Sequence, residues 1–290
     1  MKLLIIGCNG MLGQDMALSA SEAGHEIVGL DFPDIDITKQ ECVRKHVKDI
    51  SPDAIINCAA FTAVDACETE KETAFAVNAV GAGTLAMCAE VSGAKFVHIS
   101  TDYVFDGKIT RPYTEDDPTG PASVYGQSKL EGENLVRKNC SRAYILRIAW
   151  LYGKNGNNFV KTIRSVAQKN STANKPLRVV NDQWGTPTWT VDVCRQVMRL
   201  LSSDHYGLFH ATNEGKCTWF DFAGKIVATA GILCPVEPCT TSDFPRPALR
   251  PAYSVLENRN LKRLGINVMQ EWEEAFEEFS SELELPGASN

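Results

Sequence analysis

A doubly wound α/β fold, with a parallel sheet as its centre, is the class this 290-residue chain predicts. Two observations carry that prediction. Short β-rich apolar runs alternate with helix-periodic segments through the first half, a spacing that suits parallel strands joined by helical crossovers. Glycines 7, 10 and 13 directly follow the first apolar run, where such a sheet turns from strand to helix. Ligands of these sheets collect beyond the carboxyl ends of the strands. Gly7, Ala59, Thr101 and Trp150 each follow a predicted strand, so they are expected along one edge.

The elements follow in order. Residues 3–6 read as a strand, 12–23 as a helix and 26–30 as the second strand; 54–58, 96–100 and 143–148 continue the series, with helical segments between them. This organises residues 1–150 as a dinucleotide-binding domain. Beyond Tyr152 the pattern is less regular, with turn clusters at 153–158, 170–176 and 240–251. Residues 151–290 are therefore expected to form mainly a smaller substrate-binding lobe, with room for a strand and helix to return to the main sheet. The tail, 285–290, is expected to fray.

Composition narrows the function classes. A chain of this length with 44% hydrophobic and 22% charged residues can bury one large core and a smaller one. The net charge of -7 and the lack of a long Lys/Arg block argue against nucleic acid and anionic membrane as partners. No secretion-signal pattern opens the chain and no apolar run approaches a membrane span, so the expected location is cytoplasmic. Ten cysteines contain no Cys-x-x-Cys pair and several fall in apolar stretches, which predicts reduced thiols packed as small apolar side chains.

Gly7-x-x-Gly10-x-x-Gly13 differs from the Gly-x-Gly-x-x-Gly form but shares its logic: a tight turn, close backbone approach, and a helix start offering N–H groups to a pyrophosphate. Asp31 ends the second strand. It either hydrogen-bonds the adenosine ribose and repels a 2'-phosphate, favouring NADH, or merely starts the turn 31–34. Asp36 and Ile37 can reach the adenine, and 57–60 end a strand with small residues that a dinucleotide needs. Asn78, on the next helix, is either a helix-to-sheet hydrogen bonder or purely structural.

The chemistry points to a reductase. Thr101 ends the fourth strand, where its hydroxyl can donate to a carbonyl or cap its own backbone. Tyr125 and Lys129 are four apart, one face of a helix. An ammonium at that spacing is expected to lower the phenol's pKa from about 10 toward the range of proton exchange with a carbonyl oxygen.

The glycine motif, the stretch Asn57-Cys-Ala-Ala-Phe-Thr-Ala-Val-Asp65, Ser100-Thr-Asp-Tyr-Val-Phe-Asp-Gly107 and Tyr125-Gly-x-Ser-Lys129 resemble an extended short-chain dehydrogenase/reductase with a Rossmann-type sheet. Within that superfamily the chain resembles the dTDP-4-dehydrorhamnose reductase family, through Arg147-Ile-Ala-Trp-Leu-Tyr152, Gly156-Asn-Asn-Phe159, Asn181-Asp-Gln-Trp-Gly-Thr-Pro187 and Arg250-Pro-Ala-Tyr-Ser254. The resemblance covers nearly the whole chain.

It implies reduction of the C4 ketone of dTDP-4-dehydro-6-deoxy-L-mannose to dTDP-L-rhamnose, a cell-surface sugar donor. By matching motif, Thr101, Tyr125 and Lys129 form the catalytic set: Tyr125 protonates the oxygen, Lys129 holds the phenol and the nicotinamide ribose, and Thr101 orients the ketone. Gly10, Met11, Leu12, Asp31, Asp36, Ile37, Ala60, Phe61 and Thr62 line the dinucleotide, and Asp102 and Trp150 contact the sugar nucleotide. Trp150 as mere core, and Arg250 as a surface salt bridge rather than a bidentate pyrophosphate ligand, remain alternatives. The family uses NADPH, often accepting NADH; some members carry Mg2+ at a subunit interface, which leaves a homodimer open. No acidic cluster assigns a metal site. Phe61 and Ala149 depart from the family's common His and Ser.

Three other readings share the fold. A 4,6-dehydratase resembles Thr-Asp-Glu at the fourth strand, whereas Tyr103 follows Asp102 here. An epimerase, or another sugar-nucleotide reductase, would differ in its cofactor balance or its sugar. The regulatory subunit of methionine adenosyltransferase resembles these reductases without their chemistry, and the complete Thr101, Tyr125 and Lys129 set argues against it.

Overall fold

The computed structural model describes residues 1–284, so the expectation for the tail 285–290 lies outside the described residues. Six strands form the main sheet: β1 (Lys2–Ile6), β2 (Glu26–Leu30), β3 (Ala54–Asn57), β4 (Lys95–Thr101), β5 (Ala143–Ile148) and β6 (Gly207–His210). Their order is β6-β5-β4-β3-β1-β2, and every neighbouring pair is parallel. Covered on both faces, the central strands read as continuous apolar runs rather than alternating ones. β1 pairs with β2 on one side and β3 on the other, so the crossovers change direction there and leave a crevice at the carboxyl edge.

Alternation along β1 divides the core. Leu3 and Ile5 join one cluster with Leu12, Met16 and Ala20 of α1 (Met11–Glu22); Leu4 and Ile6 join another with Val43 and Val47 of α2 (Gln40–Ile50), Leu85 and Ala89 of α3 (Ala82–Ser92), and Val136 of α4 (Val124–Asn139). Beyond α5 (Phe159–Thr172), the helix α6 (Thr190–Leu201) packs Val193, Val197 and Leu200 on the α1 face. Thus α6 and β6, both from beyond residue 150, belong to the main sheet. A third cluster gathers Tyr152, Val160 and Ile163 with Phe222 and Ile226 of α7 (Trp219–Thr229) and Phe276 and Phe279 of α8 (Trp272–Glu284).

The boundaries expected from sequence shift by one residue at β1, α1, β3 and β4. One expectation needs correcting. The helical stretch Lys71–Ser92 is long and apolar enough to cross a membrane by length and composition, although no uninterrupted apolar run appears there. Of its most apolar window, 61% is buried, as a core helix requires. All ten cysteines are free thiols, seven of them buried.

The first turn depends on the absence of side chains. Gly7 has φ +77°, and a Cβ on it would lie 2.7 Å from the Ala59 nitrogen. A Cβ on Gly13 would lie 2.0 Å from the Gly7 carbonyl oxygen, which seats α1 directly on the turn. Gly13→Ala is expected to destabilise the protein by about 1–3 kcal/mol through this overpacking. Chemical denaturation measures it; an unchanged midpoint would show that the turn can move away at no cost.

Candidate active site

Two adjoining cavities occupy the crevice at the carboxyl edge. The smaller, about 320 Å³, is lined by Gly7, Gly10, Asp31, Asp36, Ile37, Ala60 and Phe61. The second, about 470 Å³, takes in Gly10, Met11, Leu12, Gly13, Ala60 and Thr62 on one side and Thr101, Asp102, Tyr125, Lys129 and Trp150 on the other. Gly10, Cys58 and Ala60 line both, making one trough across the ends of β1 and β3. Every candidate residue from the sequence therefore meets here except Arg250. Gly10 caps α1 without a side-chain hydrogen bond, so the helix start presents its backbone N–H groups to the trough.

At the smaller end, Asp31 serves the loop as well as the cavity: its carboxylate accepts from Asn9 N at 3.0 Å and from Phe32 N at 2.8 Å. The turn reading and an outward-facing role are thus compatible. Asp36 is engaged by Thr38, which donates from N at 3.0 Å and from Oγ1 at 2.6 Å, and by Lys39 at 3.3 Å. Phe32, 74% exposed, and Thr38 also line this end; only the folded turn brings them there. Asn78 is buried in a π-helical turn, Ala76–Gly81. Its Oδ1 accepts from Phe61 N at 2.7 Å, while Nδ2 donates to Phe61 O and to Ser128 Oγ, both at 3.0 Å. It ties the 60–62 segment to α4, the helix that carries Tyr125 and Lys129.

Tyr125 and Lys129 share one face of α4, as their spacing requires, but their electrostatics differ from the sequence expectation. Lys129 Nζ donates to Ile99 O at 2.6 Å. Burial brings this ammonium down to about 8, against the opposing pull of Glu133. Enclosure of the Tyr125 hydroxyl pushes its proton affinity up, with the Thr101 hydroxyl pulling the other way and Asp102 adding to the rise. The phenol therefore holds its proton firmly. Desolvation overrides the helix-face attraction because the ammonium is spent on a strand carbonyl.

Thr101 both caps and donates: its Oγ1 accepts from Tyr103 N at 3.2 Å and donates to Asp102 Oδ1 at 2.9 Å. Asp102 is buried, and burial pushes its carboxyl up to about 6. Its Oδ2 has no partner among the described residues. The Ser254 hydroxyl lies beside this carboxyl and pulls against the rise.

Trp150 adopts φ +47° and stacks on Trp219, with centroids 3.4 Å apart and planes 7° from parallel. A Cβ on Gly185 would come within 2.2 Å of the Trp150 ring, so that glycine makes room for it. Trp219 carries no local signal in the sequence; the lobe delivers it. Arg250 lies elsewhere, in a third cavity of about 840 Å³ with Tyr103, Phe159, Arg178, Trp219 and Arg246. Its fork is already filled by Asp65, at 2.6 and 3.0 Å, so the free bidentate ligand expected from sequence is a partly buried ion pair. Among the described residues no cluster of three or more His, Cys, Asp or Glu side chains is placed to hold a metal ion.

A Tyr–Lys helix facing a glycine turn across the switch point of a parallel sheet defines the class: an extended short-chain dehydrogenase/reductase. Comparison carries this to the family. The chain belongs to the family described as the RmlD substrate binding domain, whose model matches residues 1–285. It is 40% identical over 281 residues to the spore coat polysaccharide biosynthesis protein SpsK of Bacillus subtilis, covering 97% of each chain. A dTDP-4-dehydrorhamnose reductase from Clostridium acetobutylicum is similar at 45% identity and a TM-score of 0.95, covering 98% of this chain and 100% of that one. A dTDP-4-dehydrorhamnose reductase from Bacillus anthracis, solved in complex with NADP, is similar at 38% identity and a TM-score of 0.93, covering 97% and 99%.

Asn78→Ala removes the bracket around Phe61 and leaves backbone groups without their partner. A loss of about 1–3 kcal/mol is expected, together with weaker dinucleotide binding. Thermal unfolding and a fluorescence titration with NADH check it; wild-type values in both would show that the 60–62 segment holds its shape alone.

Proposed function

We propose that the protein reduces the C4 ketone of dTDP-4-dehydro-L-rhamnose to dTDP-L-rhamnose using NADPH or NADH. The observation that carries this is the Tyr125 phenol set beside Thr101 in a cavity whose facing wall is the glycine turn. The names of the similar reductases from Clostridium acetobutylicum and Bacillus anthracis supply the substrate class. The trough fits a dinucleotide, because it runs across the ends of β1 and β3 past the start of α1, where no side chain caps the backbone N–H groups. Bound there, a nicotinamide supplies the hydride.

The chain's own residues supply the proton and the positioning. Tyr125, protonated at neutral pH, delivers its proton to the ketone oxygen as negative charge develops on it. Lys129, charged below about pH 8, stabilises the phenolate left behind. Thr101 aligns the ketone by turning its one hydroxyl proton from Asp102 Oδ1 to the ketone oxygen, and Asp102 holds that hydroxyl in place beforehand. Trp150 forms an apolar wall for the sugar ring, held by Trp219. The nucleotide half fits the third cavity, where Arg178, Arg246 and Arg250 offer positive charge and Trp219 and Phe159 offer aromatic faces. Among the described residues Arg246 has no salt-bridge partner, so it supplies that charge while Arg250 stays with Asp65. Tyr103 occupies the position where elimination would need a Glu, which leaves reduction as the chemistry of the site.

Tyr125→Phe is expected to lower turnover about 100- to 10,000-fold with the fold and dinucleotide affinity nearly unchanged. The reading fails if that variant turns over like wild type. It also fails if an authentic keto-sugar yields product without stoichiometric loss of nicotinamide absorbance.

Among the described residues, Asp31 and Asp36 are the charged side chains lining the adenosine end of the trough, and Lys39 pairs with Asp36. Asp31→Asn keeps an acceptor for Asn9 N but removes the charge, so the ratio of kcat/KM values should move toward NADPH. An unchanged ratio, measured with both cofactors, would place Asp31 away from the 2'-position.

A further inference from the structure

One buried cluster lies beneath the larger trough cavity, reaching it through Ser100, and adjoins the proposed catalytic pair. Tyr125, Lys129 and Glu133 are spaced by four on α4, a single stripe facing the sheet. Glu133 is fully buried, and its carboxylate accepts from Ser100 Oγ at 2.6 Å, Arg147 Nε at 2.8 Å, Arg147 Nη2 at 2.7 Å and Arg137 Nη2 at 2.6 Å. Ser100 and Arg147 are paired across β4 and β5 in the sheet register. One side chain therefore clamps the helix to two adjacent strands at the level of the residue preceding Thr101. A buried ion pair is a poor source of net stability, since well-packed apolar residues of the same shape commonly do as well.

We propose that Glu133 is a positioning residue for the proposed reductase site: with Ser100 and Arg147 it sets where α4 stands against the sheet. The proposal rests on the reading of Tyr125 and Lys129 given above. The geometry follows from helix dimensions. Four residues rise about 6 Å, so the clamp sits roughly one turn from Lys129 and two from Tyr125, close enough for a small slide to carry the phenol away from Thr101. Ser128, which donates to Tyr125 O at 2.8 Å and accepts from Asn78, secures the same helix from its other side.

An electrostatic consequence follows from what faces Lys129. Glu133 and Tyr125 lie on its own helix, His98 on β4, Arg147 on β5 and Cys58 just beyond β3. Of these, Glu133 is the one carboxylate that opposes the burial penalty on the ammonium, ahead of the smaller contribution of Cys58. The sign is definite: Lys129 functions charged and loses its proton as pH rises through about 8. Without Glu133 that loss begins at lower pH.

The test compares three variants. Glu133→Gln retains the shape, and its dinucleotide affinity and kcat should fall off at a pH lower than wild type by more than about half a unit. Because that variant strands Arg147, the double variant E133Q/R147M, which removes both buried charges, provides a version expected to fold, with its fall-off between wild type and Glu133→Gln because loss of the Arg147 cation offsets part of the loss of Glu133. Ser100→Ala leaves every charge in place and should lower kcat about 10- to 100-fold at unchanged KM, with no shift of the pH midpoint. Dinucleotide titration reads the Lys129 charge without any chemistry, so failure here is separable from failure of the Tyr125 assignment. Wild-type pH midpoints in both Glu133 variants, or wild-type kcat in Ser100→Ala, would overturn the proposal even where Tyr125→Phe is inactive.

Discussion

Parallel pairing on both sides of β1 is the constraint from which the rest of the molecule takes its shape. With every strand pointing the same way, each crossover must return on a face of the sheet, and the change of direction beside β1 opens a crevice between the covering helices. The first turn exploits that opening because Gly7 takes a positive φ where Ala59 passes so close that a Cβ would lie 2.7 Å from its nitrogen. Across the trough, α4 brings a phenol and an ammonium to the end of β4. Small residues on one wall and polar residues on the other follow from the same edge.

Burial, rather than pairwise attraction, governs the charges along that edge. It raises the Tyr125 phenol, lowers Lys129 to about 8 and raises Asp102 to about 6. A phenol that keeps its proton is suited to donating one, which is the direction reduction requires. Lys129 answers to Ile99 O and Glu133 rather than to its neighbour on the helix. Glu133 in turn is held by Ser100 and Arg147, so the two interior strands and the helix form one polar unit beneath the cavity floor.

The lobe completes the site from the other side. Trp219 backs Trp150, Gly185 clears space for its ring, and Asp65, from the short helix Val64–Cys67 after β3, holds Arg250 from the long segment before β-bridge residue Tyr253. These contacts join residues far apart in the chain, which ties the third cavity to the trough. Tyr103 lines both and forms part of the wall between them.

How much of this could be read beforehand depended on the range of the interaction responsible. Local periodicity located β1 to β5 and α1, and short-range spacing brought Gly7, Gly10, Thr101, Tyr125 and Lys129 into view, because turns and helix faces depend on residues a few positions apart. β6 was anticipated only as a strand that can return to the sheet, since its four residues acquire their role by pairing with β5. The filling of Arg250 by Asp65, the stacking of Trp219 on Trp150 and the bracket of Asn78 around Phe61 were decided by tertiary structure alone. So were the shifts at Tyr125 and Lys129. Sequence by itself determined which chemical groups reach the edge of the sheet, through local geometry; the packed structure decided which of them are already engaged and how strongly each holds its proton, because desolvation and long-range hydrogen bonds exist only once the chain has closed around them.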